Sequence, residues 1–405
     1  MMLRTITEGR KRQLSCLIFL CVAVALLLTA RTQIAAGASD FSSFYAAGEI
    51  VRSGNGAHLY EYETQRQAQQ QFSYRSGPLL FPHAPFETVL YAPLSLLSYQ
   101  HAYLLWWLCN LALVLLTLEM MARTFPGIQA LLPYWILALA FFAPLQVALV
   151  QGQDSVLTMF LLAACVVLLA RGRDASAGAM LALILYKPQL ALPIFLVLAV
   201  GLSWRFICGF VGGAVGLAGI SAAMVGWRAL ASLPRFLAWF NALPVKVSGV
   251  DPRGMANVRG ILLQSGVNAP QVVVGLVSVA MLLLAMAAVG VGRENKTSLT
   301  LRFALAVSVA ALASYHLFPH DLTILIVPFL LAVHELTASP IVEWQTTAAT
   351  VATAMLMMFP CTGPNPRLIF VGIACFCCAF WLEMRRRNGL AAVAGPHALE
   401  SVSRG

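Results

Sequence analysis

The chain has 405 residues, of which 60% are hydrophobic and only 10% charged, with a formal net charge of +10. Soluble domains carry about 25% charged residues, so a soluble globular class is excluded. Much of the positive charge sits in short loops and tails: Arg10-Lys11-Arg12, Arg171 and Arg173, Arg293, Lys296 and Arg302, and Arg385-Arg386-Arg387. That is the pattern of cytoplasmic anchoring, not of nucleic-acid binding.

Apolar runs of helix length recur from about residue 14 to about residue 384, and no polar stretch is long enough for a separate soluble domain. The expected fold is therefore an all-α polytopic membrane protein, one integral membrane domain over residues 1–405. Residues 10–38 have the layout of a secretory signal, but the many later spans make an uncleaved signal-anchor the more natural reading. With the N-terminus inside, span 1 covers about 14–30, and residues 31–101 form a long outer loop.

Within that loop Phe41, Phe44, Tyr45, Gly48 and Val51 recur at helical spacing, with Glu49 and Arg52 on the other side. This predicts an amphipathic helix at the membrane surface, ended by Gly54-Asn55-Gly56. Residues 61–72 predict a short polar helix. The stretch Phe86–Ser98 is apolar but short, and Pro82, Pro85 and Pro93 punctuate it. It reads as re-entrant or interfacial, because a crossing there would carry Arg171 and Arg173 outside.

Further spans are expected at about 102–122, 131–149, 154–170, 175–186, 188–203, 205–225, 271–292, 299–315, 321–335, 344–360 and 367–384. That makes about twelve, with both ends cytoplasmic. A second outer loop, about 226–270, carries Trp227, Leu230, Leu233, Phe236, Leu237 and Phe240 at i, i+3 and i+4, another amphipathic helix. Eight of the nine cysteines lie in apolar runs and Cys361 lies near a loop, so no disulfide or zinc framework is expected.

The polar residues that remain fall on or near the outer side. Asp40 directly precedes the first outer helix, where it serves either as its N-cap or as a general base. Gln151-Gly152-Gln153-Asp154 is either a tight turn with Asp154 capping the next helix or a set of groups that bond sugar hydroxyls. Lys187 in Lys187-Pro188-Gln189 interrupts an apolar run, at a cost of about 2.5–3.5 kcal/mol if it lay at bilayer centre. It either snorkels to headgroups or binds phosphate. His316-Leu-Phe-Pro-His320-Asp321 offers metal ligands or a phosphate clamp. The clamp fits better, since no third firm ligand is evident and His at i and i+4 across a Pro is not a dependable pair. Asp321 would then orient an imidazole or cap the next helix. Arg259 is a further candidate cation, or else a solvated loop charge.

Asp40-Phe41 with Phe44-Tyr45 and Gly48, the Gly56…Leu59-Tyr60 turn, Pro82…Pro85, Pro93-Leu94, Trp106…Asn110, Gln151-Gly152-Gln153 and Lys187-Pro188-Gln189 occur in an order that resembles the family 87 glycosyltransferases. Those are GT-C enzymes that use polyprenyl-phosphate sugars, typified by polyprenyl-phosphate-mannose-dependent α-1,2-mannosyltransferases. Similar sequences often carry Asn where this chain has Asp154. The resemblance implies a GT-C-like bundle, a multi-pass protein of the cell (inner) membrane, and a catalytic Asp just after the first span, which maps onto Asp40. The active site would face the periplasmic or extracellular side.

The partners so implied are a polyprenyl-phosphate sugar donor, with mannose the expected sugar, a glycolipid or glycan acceptor, and membrane lipids. Lys187, His316, His320 and Arg259 would hold the phosphate, and Gln151, Gln153 and Asp321 complete the expected substrate-binding set. A sugar already carried on lipid phosphate needs no nucleotide-binding fold and in principle no metal, so no cofactor is expected. A secondary transporter or flippase is the rival class, because it too explains a broken helix with a buried lysine. A non-catalytic envelope scaffold is a second rival.

Overall fold

Backbone N–H and C=O groups inside a bilayer must be satisfied within the chain. The protein, described here by a computed structural model, meets this with helices, and no strand occurs among the described residues. Those are residues 2–73, 77–248, 250–267, 271–294, 298–338, 350, 353–354 and 365–402.

Six helices are long and apolar enough to cross a membrane: Gly9–Ala35, Tyr99–Thr124, Trp204–Ala242, Gln271–Gly290, Pro319–Thr337 and Pro366–Arg387. A seventh arises if Leu132–Ala140 and Ala143–Gln151, bent by 60°, form one broken span. Four shorter apolar helices follow the expected segments: Ser155–Ala170, Asp174–Tyr186, Pro188–Gly201 and Leu299–Ala313. Among the described residues, length and composition thus support six or seven full crossings where about twelve were expected. Ser155–Ala170 is about 24 Å long, and 12 of its 16 residues are buried by protein. The expected 344–360 span, apart from positions 350, 353 and 354, and also Lys296 and Cys361, lie outside the described residues.

The helix expected from Phe41 forms over Phe41–Arg52. It is more enclosed than a helix resting on a membrane surface, with Phe41, Phe44, Tyr45 and Ile50 all buried. Gly48 explains part of this: a Cβ there would stand 2.5 Å from the Tyr91 carbonyl carbon. The helix therefore lies directly against the Pro-punctuated segment. That segment is a chain of short helical turns, Pro85–Glu87, Thr88–Tyr91 and Leu94–Leu96, none long enough to cross. The second amphipathic stretch continues the Trp204–Ala242 helix after a break at Gly226, whose φ of 79° and ψ of 154° are non-helical.

The Tyr99–Thr124 helix sets the molecule's two ends. Near its start, Tyr99 bonds Ser39 (2.6 Å) and Trp106 Nε1 donates to the Gly152 carbonyl (3.0 Å). About 24 Å on from Tyr103, Glu119 accepts from Arg12 at 2.9 Å. The basic N-terminal cluster and the Asp40–Gly152 region thus sit at opposite ends of the bundle.

Candidate active site

Asp40 does not cap its helix: it has helical φ/ψ and makes no side-chain cap hydrogen bond. Its Oδ2 instead accepts from Gln153 Nε2 at 2.7 Å. The flanking residues fix its position. Phe41 is fully buried and lies 5.6–6.3 Å, ring to ring, from Tyr45, Tyr91, Tyr99 and Tyr103. Gln153 is aimed by a left-handed turn at Gly152 (φ 64°), a conformation that costs other residues about 1–2 kcal/mol. A Cβ on Gly152 would meet Phe41 Cβ at 2.8 Å, so the glycine also allows the turn to touch the Asp40 helix.

Asp154 likewise makes no side-chain cap, and Lys187 does not snorkel, being 3% exposed. The two meet: Lys187 Nζ lies 2.6 Å from Asp154 Oδ1, 2.6 Å from Asp321 Oδ1 and 3.1 Å from Ser155 Oγ. Asp321 Oδ2 accepts from the Phe318 N–H at 3.0 Å, which starts the Pro319–Leu325 turn, and lies 3.5 Å from His320 Nε2. Asp321 therefore caps that turn and pairs with Lys187. His320 Nδ1 donates to Gln151 Oε1 at 3.0 Å.

His316 Nε2 donates to Asn241 Oδ1 at 2.6 Å. Burial, reinforced by the nearby Arg259 charge, lowers its pKa to about 4, so this histidine is neutral at neutral pH. Asp40, Gln151, Gln153, Lys187, His316, His320 and Asp321 all line one cavity of about 480 Å³. Arg259 stands one layer behind: its guanidinium lies 4.1 Å from the centre of the Tyr315 ring, and Tyr315 lines the cavity.

His83 also lines the cavity, and behind it stands Glu87, a pair that sequence reasoning passed over. His83 Nδ1 donates to Glu87 Oε2 at 2.6 Å and lies 3.4 Å from Asp154 Oδ2. Tyr91 donates to Glu87 Oε1 at 3.3 Å. Burial raises the Glu87 pKa, with Asp154 adding to the rise and His83 opposing it. For His83, burial favours the neutral form, but Glu87 and Asp154 outweigh it and the pKa is raised. The i, i+4 spacing of His83 and Glu87 was the available signal, obscured by the prolines around it. Ligating atoms of His83, Glu87 and Asp154 lie within 4.8 Å of one another, a spacing that would admit a divalent ion, and Asp154 also shares the Lys187 ammonium with Asp321.

The sequence model of glycosyltransferase family 87 matches residues 81–315, more than half of the chain. The chain belongs to glycosyltransferase family 87. No curated protein and no solved structure matches it. Family 87 membership makes this cavity the candidate active site of a multi-pass membrane glycosyltransferase, with sugar donor, acceptor and membrane lipid as its partners. The family match takes in His83, Glu87, the Gln151–Asp154 turn, Lys187 and Arg259. Asp40 lies before it and His316, His320 and Asp321 lie just beyond, yet the fold brings them to the same cavity.

Proposed function

We propose that this family 87 enzyme moves a sugar, with mannose the expected one, from a polyprenyl-phosphate donor to a hydroxyl of a lipid or glycan acceptor, inverting the anomeric centre. The observation that carries the reading is Asp40: a carboxylate released from helix capping, oriented by Gln153, and lining a cavity with Lys187, His316 and His320. Asp40 takes the acceptor's hydroxyl proton as the acceptor oxygen bonds to the anomeric carbon. The bond from that carbon to the phosphate oxygen breaks, and the lipid phosphate leaves with the electron pair. Such a leaving group needs charge stabilisation more than protonation, so one carboxylate suffices where a glycosidase uses two. Cationic and N–H groups lining the same cavity supply that stabilisation in a water-poor site. Gln151 and Gln153 suit the sugar hydroxyls.

We further propose that the cavity faces the non-cytoplasmic side of the cell (inner) membrane. The basic N-terminal cluster, with Arg12 on Glu119, lies at the other end of the bundle, and basic residues favour the cytoplasm. The test is transfer of labelled sugar from a polyprenyl-phosphate donor by purified protein, with Asp40→Asn beside it. Product formed by wild type and lost in the variant supports the reading. Transfer unchanged in Asp40→Asn removes Asp40 from the mechanism. Vectorial solute uptake without glycoside product would establish a transporter instead.

A further inference from the structure

Three buried carboxylates, Glu87, Asp154 and Asp321, gather around His83 and Lys187, with exposures of 1%, 0% and 5%. Among the described Lys and Arg residues only Lys187 lines the cavity. Its ammonium is shared by Asp154 and Asp321, at 2.6 Å from each, while Arg259 is engaged with the Tyr315 ring. Buried charges persist where they are paired or bound to a metal, and one ammonium does not balance three carboxylates.

Asp154 shows where the deficit falls. Its Oδ1 faces Lys187 Nζ, whereas its Oδ2, fully buried, accepts no hydrogen bond among the described residues. Glu87 is arranged alike: Tyr91 donates to Oε1 at 3.3 Å, and Oε2 faces His83 Nδ1 at 2.6 Å. Each carboxylate thus has one oxygen anchored and the other turned towards His83 Nδ1, which stands 3.4 Å from Asp154 Oδ2.

We infer that His83 Nδ1, Glu87 Oε2 and Asp154 Oδ2 hold a divalent cation of the zinc type. One imidazole with two carboxylates is a zinc donor set, and three protein ligands leave a fourth position open. His83 is the ligand that lines the cavity. With bonds of about 2.0–2.2 Å, neighbouring ligand atoms of a tetrahedral site stand about 3.3 Å apart. The His83–Asp154 separation already has that value, and the His83–Glu87 hydrogen bond opens by about 0.7 Å to admit the ion. Tyr91 and Lys187 supply the outer bonds that orient ligating carboxylates. Lys187 and the ion use different oxygens of Asp154, and two added positive charges bring the three carboxylates into balance. This site goes beyond the transfer reading, which in principle needs no metal, and can fail without it.

The experiment titrates Zn²⁺ into purified, tag-free, full-length protein stripped by chelator, at pH 7, by calorimetry. Wild type is expected to bind one ion per chain with a Kd below about 1 μM. Glu87→Gln and Asp154→Asn are each expected to weaken binding at least about 100-fold, and Tyr91→Phe about tenfold with one ion still bound. Glu61→Gln, in the exposed His58–Glu61 pair, is expected to leave the affinity unchanged. X-ray absorption of the wild-type zinc complex is expected to show one imidazole among oxygen donors at about 2.0–2.2 Å. That measurement needs no variant, so it decides even where a substituted chain does not fold.

A wild type that binds no Zn²⁺ overturns the site, and a proton shared by Glu87 and Asp154 then fills the gap. Unchanged affinity in folded Glu87→Gln and Asp154→Asn overturns it too. So does a metal shell with two or more imidazoles, which would put the ion on other histidines. The transfer reading stands in each case.

Discussion

Gln153 Nε2 donates to Asp40 Oδ2 at 2.7 Å, joining residues 113 positions apart. A turn between two helices of the bundle thereby orients the carboxylate at the start of the Phe41–Arg52 helix. The bond occupies Oδ2 of Asp40; in the proposed reaction the other oxygen meets the acceptor's proton.

Removing this tether should lower turnover more than affinity. Gln153→Ala is expected to reduce kcat about 10- to 100-fold with KM within a few-fold, since the carboxylate remains but its geometry loosens. Asp40→Asn should cost about 100- to 10,000-fold. Steady-state transfer assays check both. Equal losses in kcat and 1/KM for Gln153→Ala would argue that Gln153 binds substrate instead.

Lys187 is the hub of a buried charge cluster, and its loss strands two carboxylates. Asp154 is 0% and Asp321 7% exposed at the side chain. Breaking such a cluster from one side costs about 3–5 kcal/mol. Lys187→Met should therefore lower the thermal transition markedly. Adding Asp154→Asn and Asp321→Asn should restore much of it, because the uncompensated charges are gone. A transition that the added substitutions lower further would show that the carboxylates stabilise the fold through other partners.

The neutral His316 predicts an acid limb of stability. Its folded pKa is lowered to about 4, chiefly by burial, against an ordinary value near 6.5. Between those values the unfolded chain binds the extra proton, so stability rises with pH. The contribution is complete above about pH 6.5 and is lost as pH falls towards 4, amounting to up to about 3 kcal/mol. The difference between wild type and His316→Gln in thermal melts across this range isolates it. Parallel melting curves at every pH would refute the assignment.

Much of this was legible in the sequence because membrane chemistry leaves few choices. Apolar runs give the helices, and costly polar residues in or near them single out Asp40, Lys187, His316, His320 and Asp321. What the sequence leaves open is pairing. Asp40 and Asp154 both have the placement of an N-cap, and only the fold shows that each is instead engaged across the bundle, with Gln153 and with Lys187. His83 and Glu87 lay unread among prolines because their partner, Asp154, follows Glu87 by 67 positions and meets them only in three dimensions.

Gly152 permits a test that separates strain from crowding. Both Gly152 (φ 64°) and Gly172 (φ 69°) are left-handed, but a Cβ on Gly172 would meet nothing within 4 Å. A Cβ on Gly152 would stand 2.8 Å from Phe41 Cβ and 3.0 Å from Tyr103 Cε2. Gly172→Ala should cost only the backbone penalty of about 1–2 kcal/mol and leave transfer intact. Gly152→Ala should cost more and reduce transfer more than about tenfold, because relieving the clash moves Gln153 away from Asp40. Gly152→Asn, which tolerates the left-handed conformation better, should not rescue it. Full activity in Gly152→Asn would mean that conformation alone matters and that the close approach to Phe41 does not position the carboxylate.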